Sequence, residues 1–82
     1  MNKQKLLEQI LINQKNVNFN DFICVLEAFG FFCTRTNGSH NIFKNKTITE
    51  IINIQNVKGE AKPYQIKQFL SLIEKYNLKM ED

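Results

Sequence analysis

The sequence predicts an α+β fold of two layers, in the order helix, helix, three strands, helix. Three observations predict it. Apolar residues recur at helical spacing near both ends and before Gly30. The middle of the chain holds short runs of β-formers. An Asn37-Gly38 pair separates two of those runs, and this pair favours a tight hairpin turn because both residues tolerate positive φ.

Residues 3–14 carry Leu6, Leu7, Ile10 and Leu11 on one helical face, with Lys3, Gln4, Glu8 and Gln9 opposite. Asn18 suits the N-cap of a second helix, with Asp21 in its first turn, where negative charge is favoured. That helix runs from about Phe19 to Phe29 on a stripe of Phe22, Ile23, Leu26 and Phe29, and Gly30 stops it. Phe31 to Thr36 forms a short strand, Asn37-Gly38 turns it, and Ser39 to Lys44 returns. A second turn at Asn45-Lys46 leads into a third strand, Thr47 to Ile54, with Ile48, Ile52 and Ile54 on one face and Ile51 on the other. The result is a meander with two-residue connections. Asn56 to Lys62 reads as a polar loop. Pro63 opens the last helix, where its missing N–H has no partner to lose. Ile66, Phe69, Leu70, Ile73 and Tyr76 mark its apolar stripe, and Asn77 stops it. The helices after Asn18 and Pro63 cover the sheet. Residues 1–17 are then an N-terminal helical extension, 18–78 the domain, and 79–82 a flexible tail.

With 82 residues the chain makes one domain, and a chain of this size buries only about 60% of its unfolded surface. A formal charge of +3 favours an anionic partner. Cys24 and Cys33 are too few for a disulfide framework and lack metal-ligand spacing, so they read as reduced, small hydrophobes in a cytoplasmic protein. No apolar run approaches the ~18 residues a membrane span requires. The basic start, Met1 to Lys5, is followed by an interrupted apolar run, which makes a poor signal peptide.

His40 is the only histidine. It falls two residues into the returning strand, where a regular element holds a side chain more firmly than a loop does. An imidazole can take or give a proton near neutral pH, which suits general acid–base catalysis. A plain surface histidine has the same sequence appearance. Beside it, Gly38 permits close approach of a phosphate backbone and Ser39 can donate to a phosphate oxygen. Arg35, across the turn, can clamp a phosphate through two N–H groups. Lys44, Lys46, Lys58, Lys62 and Lys67 form either a solvated face or a phosphate-binding rim, with the helix N-terminus at Pro63 adding to it. Tyr64 either stacks on a base or staples the loop. Glu27, Glu50 and Glu60 form no pair. Three glycines, at 30, 38 and 59, cannot make a nucleotide-binding loop, and neither metal nor small-molecule cofactor is expected.

Two motifs carry a resemblance. Gly38-Ser39-His40-Asn41-Ile42-Phe43, after a Phe29-Gly30-Phe31 helix exit, and Gly59-Glu60-Ala61-Lys62-Pro63-Tyr64-Gln65 resemble the HicA toxins of bacterial type II toxin–antitoxin systems, over about residues 18–78. The resemblance implies a double-stranded-RNA-binding-domain-like α-β-β-β-α fold and an mRNA interferase, an endoribonuclease that blocks translation. It implies that His40 is catalytic and that a HicB antitoxin covers the active surface. It says little about residues 3–14. The chemistry that suits these residues is metal-independent attack by the RNA's own 2′-hydroxyl. His40 transfers a proton, and Ser39 and nearby lysines hold the phosphate. One histidine does not readily serve both proton transfers, so a water, a lysine or the ribosome supplies the other. A non-catalytic RNA-binding module of the same fold and a small protein-interaction domain are the competing readings.

Overall fold

A computed structural model of the chain describes residues 2–81. Met1 and Asp82, the outer ends of the expected extension and tail, lie outside the described residues. Three helices, α1 (Lys3–Ile12), α2 (Phe19–Ala28) and α3 (Pro63–Tyr76), accompany five strands. The strands are β1 (Val17–Asn18), β2 (Phe31–Asn37), β3 (His40–Asn45), β4 (Ile52–Val57) and β5 (Glu60–Ala61). All pairings are antiparallel, in the order β1-β5-β4-β3-β2. The predicted α+β class holds, with an N-terminal helix preceding an α-β-β-β-α core to which two short strands are added.

Local signals set the helix ends. Asn2 and Asn18 each accept a backbone N–H three residues on, at 2.8 and 3.1 Å, and so cap α1 and α2. Helix α1 stops two residues earlier than its pattern suggests, because the Gln14 side chain donates to the Ile10 and Leu11 carbonyls. Asn77 ends α3 in the left-handed region, its N–H bonded to the Ile73 carbonyl.

The core joins both helical faces to the sheet. Phe69 of α3 is fully buried and meets Phe22, Phe29 and Phe31 edge-on, at 5.5, 5.5 and 5.9 Å between ring centroids. Helix α1 docks through Leu6 and Ile10, which belong to the same buried cluster, whereas Leu11 turns outward at 55% exposure. Val25 and Leu72 are also buried, which widens the stripes expected on α2 and α3. At the C-terminal end, Leu78 and Met80 pack on the core, and the Glu81 N–H donates to the Ala28 carbonyl at 2.6 Å.

Three expectations are corrected. The first hairpin turns on Gly38-Ser39, since Asn37 pairs with His40. Only Gly38 has positive φ there, at 62°, which meets the requirement of a type II′ turn. Two successive positive φ values occur instead at Lys58-Gly59, 53° and 84°, in a β4–β5 hairpin that replaces the expected polar loop. The third strand begins at Ile52 and not at Thr47, so its connection spans Lys46–Ile51. Asn45 explains this: it is buried, donates to the Phe29 carbonyl at 2.9 Å, and accepts from the Thr47 N–H and hydroxyl at 2.9 and 2.8 Å. The backbone is thereby drawn out of the ladder toward the end of α2. The Lys75 ammonium holds the far part of this connection through Glu50 at 3.3 Å, and that carboxylate raises the lysine's pKa. Both cysteines are free and exposed.

Candidate active site

His40 is the first residue of β3, paired with Asn37 on β2 and Gln55 on β4. Side chains alternate along β3, so Phe43 and Asn45 are buried while His40 and Lys44 are exposed on the other face. The imidazole is anchored: its Nδ1 lies 3.2 Å from Asn53 Oδ1. With the proton on Nδ1 the ring donates to that oxygen, and the Nε2 lone pair is left free.

The His40 side chain opens onto a groove of about 300 Å³ lined by Ile51, Asn53, Tyr64, Gln65 and Gln68. It exists because β4 has partners along different parts of its length. Residues 52–55 pair with β3, and only 56–57 pair with β5 on the other side. The N–H of Gln55 therefore faces a gap in the sheet. Gln65, 2% exposed on α3, fills it: its Oε1 accepts that N–H at 3.2 Å. The start of α3 is thus fixed beside His40.

The same glutamine strand residue reaches the turn. Gln55 Nε2 donates to Ser39 Oγ at 3.3 Å, and the Ser39 carbonyl accepts the Asn56 N–H at 3.2 Å. A hydroxyl that accepts one bond still has its own hydrogen to donate. Gly38 sits at the tip of the turn with open space around it.

The predicted basic residues divide. A β-bulge between Cys33 and Arg35 leaves Thr34 unpaired and sets Arg35 opposite Ile42, which is itself opposite Asn53. The extra residue turns Arg35 onto the His40 face. Lys62, the N-cap residue of α3, holds its Nζ 5.9 Å from the Tyr64 ring centroid at the rim of the groove. Lys44 lies four residues along β3 from His40, about 13 Å away, and Lys46 follows it into the connection. Neither is gathered around His40. Among the described residues, no cluster of three or more His, Cys, Asp or Glu is placed to hold a metal.

Asn53, Gln65 and Gln68 are not among the site residues expected from the sequence. Gln65 had a signal: it precedes Phe69 by four residues, on the same helical face. Asn53 and Gln68 had none, since their roles depend on contacts across the fold.

A family model described as HicA toxin of bacterial toxin–antitoxin matches residues 19–74. The chain belongs to the HicA toxin family. No curated protein and no solved structure gives a significant match. HicA toxins are generally ribonucleases and operate with an antitoxin partner. The match takes in every groove residue and leaves α1 outside. No helix among the described residues is long and apolar enough to cross a membrane.

Proposed function

We propose that this HicA-family protein is an mRNA interferase, an endoribonuclease that cleaves RNA without a metal and stops translation in the cytoplasm until a HicB-type antitoxin covers the His40 groove. The observation that carries this reading is the anchored imidazole at the mouth of a concave site, Nδ1 on Asn53 Oδ1 at 3.2 Å. A ring fixed in this way presents one basic nitrogen in a set direction, which is what proton abstraction requires.

In the proposed reaction Nε2 of His40 takes the proton of a ribose 2′-hydroxyl. The 2′-oxygen attacks the adjacent phosphorus, the bond from phosphorus to the 5′-oxygen breaks, and that oxygen leaves with a proton from water or a lysine. The products are a 2′,3′-cyclic phosphate and a 5′-hydroxyl end. Ser39, with its hydrogen free, and the exposed Gly38 receive the phosphate. Arg35, on the His40 face, and Lys62, beside Tyr64, supply positive charge, and Lys44 and Lys46 extend it along the RNA backbone. Residues 18–78 form the toxin domain, 1–17 an extension that docks on it, and 79–82 a tail.

Wild type and His40→Ala, induced side by side in cells, test the reading. Wild type arrests growth and degrades bulk mRNA, and an equally folded His40→Ala does neither. Equal toxicity of the two, or harmlessness of both, would remove His40 from the centre of the site.

A further inference from the structure

Tyr64 is 61% exposed, so it does not staple the loop. It stands on the wall of the His40 groove with Gln68 one helical turn further along the same face of α3. The chemistry of that lining is specific. Apart from His40, the groove is lined by an aromatic ring, an isoleucine and three side-chain amides, with no lysine, arginine or carboxylate. Lys62, outside that lining, holds its Nζ over the Tyr64 ring, 5.9 Å from its centroid. A phosphate bound inside such a groove would lack charged partners. A flat, neutral, hydrogen-bonding group would not.

We infer that this groove is a subsite for one unpaired nucleobase of the RNA, stacked on Tyr64 and read along its edge by the Gln68 amide. This rests on the reading of the protein as a ribonuclease. Every base has a π-face to offer an aromatic ring, and an amide carries both a donor and an acceptor for a base edge. The ammonium of Lys62 adds a charge for the backbone phosphate of the stacked nucleotide. Bases in an A-form duplex are stacked and paired within the helix and cannot enter a concave groove, so the substrate here is single-stranded or looped RNA.

Fluorescence anisotropy tests the subsite with three labelled probes: a mixed-sequence single strand of 2′-fluoro RNA, which has no attacking hydroxyl, its duplex, and an abasic backbone of equal length. Tyr64→Ala is expected to weaken binding of the single strand about 5- to 150-fold. Tyr64→Phe keeps the ring and binds within about threefold of wild type. The abasic and duplex probes bind wild type more weakly than the single strand. Unchanged affinity of Tyr64→Ala, equal affinity for duplex or abasic probe, or no binding of the single strand each overturns the subsite. Cleavage of unmodified RNA by wild type, measured in parallel, separates the two ideas. Cleavage with Tyr64-independent binding sinks the subsite alone, and Tyr64-dependent binding without cleavage sinks the nuclease alone.

Discussion

Replacing Gln65 with leucine should destabilise the protein through one backbone N–H. Gln65 is 2% exposed, and its Oε1 is the acceptor for the Gln55 N–H at 3.2 Å, at the point where β4 has lost β5 as a partner. Leucine is about as large and more apolar, so the transfer of side chain into the core is not the cost. The cost is an N–H left in a partly buried gap without an acceptor, about 1–3 kcal/mol. An 82-residue chain has a total stability of roughly 4–12 kcal/mol, so the loss is a sizeable fraction. For a domain of this size it lowers Tm by roughly 5–20 °C. Thermal and urea unfolding followed by circular dichroism measure it, and amide hydrogen exchange locates it: the Gln55 N–H should exchange faster in the variant while the β2–β3 pairs remain protected. Gln68→Leu is the control. It makes the same chemical change one turn along on the exposed face, and it should stay within about 0.5 kcal/mol of wild type. A Gln65→Leu protein that melts with wild type, or loses no more than Gln68→Leu, would refute the argument that Gln65 closes the sheet's gap.

The other predictions concern the core, the turn and the imidazole. Phe69→Ala removes a fully buried ring that three others meet edge-on, and should cost about 3–5 kcal/mol in urea unfolding. Gly38→Ala should cost about 1–2 kcal/mol although a Cβ there meets nothing, because φ is 62°; a neutral result would show that the turn relaxes. Asn53→Leu should slow cleavage by up to about 100-fold at saturating RNA, since the ring loses its fixed direction. NMR of the imidazole nitrogens should show His40 losing its preference for the Nδ1–H tautomer in that variant, and an unchanged tautomer would place the control elsewhere.

Much of the fold was legible because its signals are local. An asparagine at position 18 can cap only the helix that follows it, Pro63 can open a helix but not continue one, and Phe22 and Leu26 share a face wherever that helix lies. The third strand was misplaced because Ile48, Ile51, Ile52 and Ile54 fit more than one alternation. What selects the start at Ile52 is Asn45 bonding to the Phe29 carbonyl, a contact sixteen residues away in the chain. The turn was displaced by one residue for a related reason. Asn-Gly permits two positive φ values, but with Asn37 opposite His40 the loop is Gly38-Ser39, and only Gly38 has positive φ.

The site divides along the same line. The sequence alone determined that a lone histidine lies just after a tight turn in a basic α+β domain, because turn chemistry, charge and periodicity depend on neighbours in the chain. It also contained the motifs that match the HicA family. Only the tertiary structure decided that the Asn53 amide anchors His40, that Arg35 joins its face while Lys44 and Lys46 lie further off, and that Tyr64, Gln65 and Gln68 wall the groove. Each of those outcomes depends on a strand register, on one bulged residue, or on where β5 leaves β4. A shift of a single residue in any of them would move these side chains to another face.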